Sequence, residues 1–327
     1  MASILIGKQA ISPPVLLSPL AGITDLPYRN LVKSFGAGLV VSEMVASQEM
    51  VQDRASVRAR AELGFDVDGT SVQIAGRDAH WMAECAKICA GNGAKIIDIN
   101  MGCPAKKVTQ GYSGSALMKE PEFALTLIDA VVRAVDVPVT LKMRLGWDDE
   151  SHNAPQIAAW AQGAGVQMVT IHGRTRQQFY KGHANWNAIR AVKDAVKIPV
   201  IANGDIVDEK TARQALEQSG ADGIMVGRGS YGKPWILAQI AAQIYGTTAP
   251  RIPTGQAYIN MILKHYDSML DFYGDELGNR VARKHLGWYM DDMNLPSDIR
   301  KRVLTQKDVN ETRRLIANFS DYCQVAA

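Results

Sequence analysis

Along roughly the first 245 residues, short apolar runs alternate with segments whose apolar positions recur at helical spacing. This is the rhythm of a parallel sheet assembled from βα units. The runs are Val15 to Ser18, Leu39 to Ser42, Ser71 to Ile74, Ile96 to Ile99, Pro138 to Leu141, Met168 to Ile171, Pro199 to Ala202 and Gly223 to Val226. Between them the pattern predicts helices, among them Asp25 to Phe35, Asp78 to Gly91, Pro121 to Val135, Ala154 to Gly163, Asp208 to Gln218 and Lys233 to Tyr245. Eight such units in about 245 residues match a (β/α)8 barrel, the TIM barrel. The rhythm stops at residues 246–254, a stretch of Gly, Thr and Pro that reads as a linker. Beyond it only helical spacing remains, as in Tyr258, Met261, Ile262, His265 and Tyr266, and again in Val281, His285, Trp288 and Tyr289. The expected organisation is therefore an α/β TIM barrel over 1–245, the linker, and a small C-terminal all-helical domain over 255–327.

Seven of the runs lead to a polar side chain: Glu43, Gln73, Asn100, Lys142, His172, Asn203 and Arg228. The first leads instead to Pro19-Leu20-Ala21-Gly22. One polar residue after a strand is an ordinary loop start, but in a barrel all these positions share the C-terminal mouth, where sites are built.

Asn203-Gly204-Asp205 and Gly227-Arg228-Gly229 follow runs seven and eight, where barrels commonly hold a cofactor phosphate on backbone N–H groups. Arg228 would add a charge-assisted bond, although both segments also fit tight turns with no ligand. Lys142 and Arg144 fall on one side of an extended segment, with His172 arriving from the next run. A buried cation there suits the pyrimidine end of a flavin, and Gln73 offers a donor and an acceptor to a ring edge. Lys142 has an alternative partner in a carboxylate such as Glu43.

The chain has 327 residues, 47% apolar and 21% charged, with a net charge of +3. That is the profile of a globular protein, and it neither requires nor excludes a nucleic-acid partner. Residues 250–327 hold eleven Lys/Arg and ten Asp/Glu, so a basic surface there depends on clustering. No stretch approaches a membrane span and the N-terminus lacks a signal pattern, so a cytoplasmic location is expected. The four cysteines show no metal spacing, and no metal is expected. Cys85 and Cys89 fall on one helix face near Trp81 and Met82 and read as core. Cys103 is different: it stands just past a strand end, beside Asn100. Its loop, Met101 to Ala116, carries Lys106, Lys107, Gly111 and Gly114, and Pro104 fixes the turn that presents the thiol.

The motifs Ser18-Pro19-Leu20-Ala21-Gly22-Ile23-Thr24-Asp25, Val72-Gln73-Ile74-Ala75-Gly76, Asn100-Met101-Gly102-Cys103-Pro104, Leu141-Lys142-Met143-Arg144, His172-Gly173-Arg174-Thr175, Asn203-Gly204-Asp205 and Gly227-Arg228 stand in order. Together they closely resemble the tRNA-dihydrouridine synthase family, in its bacterial class B branch. The likeness continues through Asp271-Phe272-Tyr273-Gly274 and Arg283-Lys284-His285, and departs at Leu20, where many relatives carry Met. The resemblance implies FMN held by Pro19, Leu20, Ala21, Gln73, Lys142, His172, Asn203, Gly204, Asp205, Gly227 and Arg228. It also implies NADPH as reductant, hydride transfer from flavin N5 to uracil C6, and a proton from Cys103 to C5. Asn100, Arg144 and Arg174 are candidates to hold the uracil, since a base leaves its stack to reach a buried site. For tRNA itself the candidates are Lys106, Lys107 and Arg176 near the mouth, and Arg280, Arg283 and Lys284 in the tail; the alternative is ordinary solvated helix faces. A monomer is expected. Two other functions stay open: a flavin oxidoreductase acting on a free pyrimidine, and a non-catalytic RNA-binding barrel.

Overall fold

The computed structural model describes residues 2–52, 70–109 and 112–323. Eight parallel strands form its centre: β1 (Val15–Leu17), β2 (Leu39–Val41), β3 (Thr70–Ala75), β4 (Ile96–Met101), β5 (Val139–Arg144), β6 (Val169–His172), β7 (Val200–Asn203) and β8 (Gly223–Val226). Each pairs with its sequence neighbour, and the sheet closes where β8 meets β1, with Ile224 opposite Val15. The result is the TIM barrel that the apolar runs predict. A two-residue strand, Val45–Ala46, adds a further parallel pairing to β3.

Because strand side chains alternate between faces, each strand feeds two environments. The odd-numbered set of β4, Ile97, Ile99 and Met101, joins Val139, Leu141 and Met143 of β5 in the large apolar layer under the surrounding helices. The other set points into the barrel. At its lower end this set is apolar: Leu16, Leu39, Val41, Ile96, Met168, Ile201 and Met225 cluster together. Ile4, Ile6 and Ile11 complete that cluster from an antiparallel hairpin, Ile4–Ile6 with Gln9–Ile11, which closes the floor. Pattern reading did not find this hairpin, since each of its strands has three residues. Two and four residues above Ile96 the same face of β4 carries Asp98 and Asn100; β5 carries Lys142 and Arg144, and β7 carries Asn203.

Local chemistry sets the helix boundaries. Asp25 caps Leu26–Phe35 by accepting from the Tyr28 N–H at 3.0 Å, and Asp78 caps Ala79–Gly91 in the same way from Trp81. Cys85 and Cys89 are buried in the barrel's outer layer, as core residues.

From residue 255 the chain is helical: Gly255–Tyr273, Asp275–Asp292, Ser297–Thr305, Val309–Ala317 and Phe319–Cys323. Ile259, Ile262, Tyr266, Leu286, Tyr289 and Phe319 build a second core there, and Trp235 of the barrel segment belongs to it. The helices reach the barrel mouth directly. Trp288 stacks on Tyr231 with ring centroids 3.8 Å apart, and Lys284 Nζ donates to the Gly22 carbonyl at 3.2 Å.

Candidate active site

At the C-terminal mouth lies a cavity of about 710 Å³, within the usual range for a small-molecule or cofactor site. Its wall brings together Pro19, Leu20, Ala21, Gln73, Lys142, His172, Asn203, Gly204, Asp205, Gly227 and Arg228, along with Asn100, Cys103 and Arg144. These residues come from seven of the eight strand ends. Strands β4 and β5 run further than their apolar runs suggest, so Asn100, Lys142 and Arg144 lie within rigid strand and not in loops.

Cys103 is fixed on both sides of its peptide unit. Its N–H donates to Asn100 Oδ1 at 3.0 Å, and its carbonyl accepts from the Ser115 hydroxyl at 2.9 Å and the Ser115 N–H at 3.1 Å. Gly114 makes the return of the loop possible: it has φ +60°, and a Cβ there would stand 2.8 Å from the Cys103 carbonyl oxygen. Cys103 is partly exposed, whereas Cys85 and Cys89 are buried. Gly111 lies outside the described residues.

Below the loop, polar side chains pair in a line. Asn100 Nδ2 donates to Gln73 Oε1 at 2.7 Å, Gln73 Nε2 donates to Asp98 Oδ2 at 2.6 Å, and Thr140 Oγ1 donates to Asp98 Oδ1 at 2.6 Å. Burial pushes the Asp98 carboxyl up, against the Thr140 and Gln73 hydrogen bonds. Lys142 Nζ donates to Asn203 Oδ1 at 3.0 Å, and Asn203 Nδ2 donates to the Met225 carbonyl. Burial lowers the Lys142 ammonium to about 8; Asp98 opposes the shift and Arg144 adds to it. The carboxylate near Lys142 is thus Asp98. Glu43, the partner considered from sequence, accepts from the Ile23 N–H at 3.1 Å and supports the loop after β1. Burial, reinforced by Arg144, Lys142, Arg174 and Arg228, holds His172 well below its ordinary value, so it is neutral at pH 7.

Arg174 sits away from the cavity wall. Its guanidinium grips Asp205 with two bonds, NH1 to Oδ1 at 3.0 Å and NH2 to Oδ2 at 2.7 Å, while Nε and NH2 also reach the carbonyls of Lys181 and Gly182. Its donors are therefore committed inside the protein, which corrects the expectation that it faces a uracil edge. Asp205 also accepts from Arg228 at 3.1 Å and from the Ala184 N–H at 2.8 Å. Burial alone would raise its carboxyl, but Arg174 and these partners hold it below the ordinary range. Gly204, at φ +114°, packs where a Cβ would come within 2.8 Å of Ala184 Cβ and 3.0 Å of the His172 ring. Arg144 is buried and spends Nε on the Gly102 carbonyl and NH1 on those of Thr175 and Phe179, so it ties two mouth loops together while still lining the cavity.

The residues expected from sequence to meet RNA lie on several elements. Lys106 is exposed on the short helix Lys106–Thr109, and the Lys107 side chain lies outside the described residues. Arg176 lies against the Trp147 ring, 4.9 Å from its centroid. In the tail, Arg280 is exposed, Arg283 donates to the Gln306 carbonyl, and Lys284 is the residue bonded to Gly22. Two residues escaped sequence reading. Tyr180 lines the cavity at 46% exposure, with the guanidinium carbons of Arg144 and Arg228 5.6 and 5.5 Å from its ring centroid. Asp98 was hidden because it interrupts an apolar run; an acidic residue at an inward strand position was the available signal.

A closed (β/α)8 barrel whose mouth gathers buried cations, a neutral histidine and a partly exposed thiol around one cavity defines a TIM-barrel protein with an enzyme-like site. Among solved structures, histamine dehydrogenase from Rhizobium sp. 4-9 superimposes with a TM-score of 0.59 at 12% identity, over 81% of this chain and 50% of that one. This chain thus spans about half the length of that structure, and at such low identity the likeness speaks for the fold. Residues 16–324 match the family described as dihydrouridine synthase (Dus), and the chain belongs to that family. It is 58% identical over 321 residues to a probable tRNA-dihydrouridine synthase of Rhodobacter capsulatus, covering 98% of each chain. It is 45% identical over 297 residues to tRNA-dihydrouridine synthase B of Vibrio vulnificus, covering 90% of this chain and 92% of that one.

Proposed function

We propose that the protein reduces uridine to 5,6-dihydrouridine in the D-loop of tRNA, at position 17, using bound FMN and NADPH as reductant. One observation carries the reading: the partly exposed, backbone-anchored thiol of Cys103 shares a single cavity with Lys142, Arg144, His172 and Arg228.

The residues present fit an anionic flavin. Lys142 is buried beside a second cation, Arg144, and the carboxylates of Asp98 and Asp205 are already taken by hydrogen bonds within the protein. An anion in the cavity would relieve that excess of positive charge. Lys142, His172 and Gln73 would hold the ring edge of the flavin, Pro19, Leu20 and Ala21 would pack against the ring, and Asn203, Gly204, Asp205, Gly227 and Arg228 would hold its phosphate. When bound and reduced by NADPH, FMN supplies the hydride that uracil C6 receives. Cys103 Sγ holds the proton destined for C5, within a loop whose geometry Asn100 and Ser115 fix. Asn100 and Arg144 stand beside the thiol to orient the uracil. Arg174 keeps Asp205 and Arg228 in place.

The same reading assigns 1–245 as the catalytic domain, 246–254 as linker and 255–327 as the tRNA-binding domain. Arg280, Arg283, Lys284, Lys106, Lys107 and Arg176 are its RNA-facing cations. Among the described residues no helix is long and apolar enough to cross a membrane. The protein would act as a monomer in the cytoplasm, where tRNA is found.

The test is direct. The purified protein should be yellow with an FMN spectrum and bleached by NADPH without oxygen, and tRNA, but neither uracil nor orotate, should restore the colour. Colour restored by a free pyrimidine alone would replace this reading with a small-molecule oxidoreductase, and a colourless protein that takes up no FMN would leave a non-catalytic barrel.

A further inference from the structure

Three hydrogen bonds link the floor of the mouth to the Cys103 loop, and every donor points the same way. The Cys103 N–H gives to Asn100 Oδ1 (3.0 Å), Asn100 Nδ2 to Gln73 Oε1 (2.7 Å), and Gln73 Nε2 to Asp98 Oδ2 (2.6 Å). The Gly102 N–H also gives to Asn100 Oδ1, at 3.2 Å. A side-chain amide can be turned either way round, with its oxygen and nitrogen exchanged. Here the ends of the line allow one choice. The backbone N–H of Cys103 only donates, so Asn100 turns Oδ1 to it and Nδ2 to Gln73, and Gln73 in turn presents Oε1 to Asn100 and Nε2 to an accepting oxygen of Asp98. Asp98, Gln73 and Asn100 are each at most 7% exposed, so water does not compete for these bonds.

We infer that Asp98 is a positioning residue for the Cys103 loop, acting through Gln73 and Asn100 and touching neither the thiol nor the reacting atoms. Asp98 terminates the line. Without an acceptor at its position, Gln73 Nε2 is left buried with no partner, and only the bond from Asn100 Nδ2 to Oε1 still holds the amide; a Gln73 that moves to satisfy its Nε2 breaks that bond. Asn100 then loses the acceptor that anchors its Nδ2, and its oxygen is held less firmly on the backbone N–H groups of Gly102 and Cys103. The defect thus passes from the barrel interior to the thiol. The effect on turnover rests on the proposed role of Cys103; the effect on the loop does not.

Asp98 also faces Lys142 electrostatically, so the variants must separate polarity from charge. Asp98→Leu removes the acceptor and the charge. Asp98→Asn removes the charge and keeps an acceptor for Gln73, because the Thr140 hydroxyl can turn to receive the new N–H. Thr140→Val removes the other bond to Asp98 and leaves the line whole. The first measurement is the rate at which iodoacetamide alkylates Cys103, followed by peptide mass spectrometry on the purified full chain. Asp98→Leu should raise it at least threefold, with Asp98→Asn and Thr140→Val within twofold of the parent. The second is a pair of rapid-mixing experiments. For Asp98→Leu, tRNA-dependent oxidation of the reduced protein should slow at least tenfold and reduction by NADPH should stay within twofold, and Asp98→Asn should recover the tRNA step.

Should Asp98→Leu fail to fold, Gln73→Met removes both the acceptor of Asn100 Nδ2 and the donor to Asp98 and should accelerate alkylation equally. Unchanged alkylation in whichever of these variants folds overturns the inference, and so does an Asp98→Asn variant as impaired as Asp98→Leu. Faster alkylation with an unchanged yield of dihydrouridine would support the line of hydrogen bonds while removing Cys103 as proton donor, so the two readings fail separately.

Discussion

The floor and the mouth of the barrel are made by the same inward-facing positions of the same strands, yet they have opposite character. At the floor, Ile96, Met168 and Ile201 meet Ile4, Ile6 and Ile11 of the hairpin in a wholly apolar cluster. Two to four residues higher, the strands present Asp98, Asn100, Lys142, Arg144, His172 and Asn203. At about 3.3 Å per residue, that change takes place within roughly 7 to 13 Å. The floor supplies stability that asks nothing of chemistry. The mouth holds buried cations and long hydrogen-bonded lines that a domain selected for stability alone would replace with apolar side chains. The separation implies that substitutions at the two ends should fail in different ways.

The largest effect should come from the mouth. Cys103→Ala should lower dihydrouridine formation by about 100-fold or more, the usual scale of general-acid catalysis, with FMN affinity and unfolding midpoint unchanged. Dihydrouridine yield, flavin fluorescence and thermal unfolding together check this, and a matching loss of stability would break the division between the two ends. The next effect belongs to the floor. Ile6 is fully buried, and Ile6→Ala should cost about 2–5 kcal/mol by chemical denaturation while the folded fraction binds FMN in full. Reduced cofactor affinity in that folded fraction would mean that the floor shapes the site.

The smallest effect is a pH dependence. Lys142 titrates at about 8 in the folded protein, below the ordinary 10.5, because burial disfavours its charge. The unfolded chain therefore binds more protons between those values, and this group's contribution to stability rises with pH across that window. Anion binding runs the other way, since it needs the ammonium. FMN affinity should fall as pH passes about 8, by about tenfold at pH 9 relative to pH 7. Lys142→Met should bind more weakly and lose this dependence; a Met variant that keeps it would assign the titration to another group.

The barrel was legible because its eight runs are β-branched and regularly spaced, and because period-two alternation marks which residues face inward. Cys103 was legible through its neighbours Asn100 and Pro104. What escaped needed three dimensions. The floor hairpin has too few residues to show a period, and Tyr180 enters the cavity from a loop whose path no pattern records. Arg174 carries the residue type expected of a base-binding group, and only the bidentate contact with Asp205 shows its donors to be occupied.

The second core ignores the boundary that the sequence rhythm draws at residue 245. Trp235 belongs to the helical cluster, Phe35 packs against it, and the Tyr28 ring lies 4.6 Å from that of His285. Cutting the chain at the linker would leave these aromatic rings without cover beside the mouth. A barrel excised there would be sticky, and in practice the two halves must be expressed, purified and engineered as one piece.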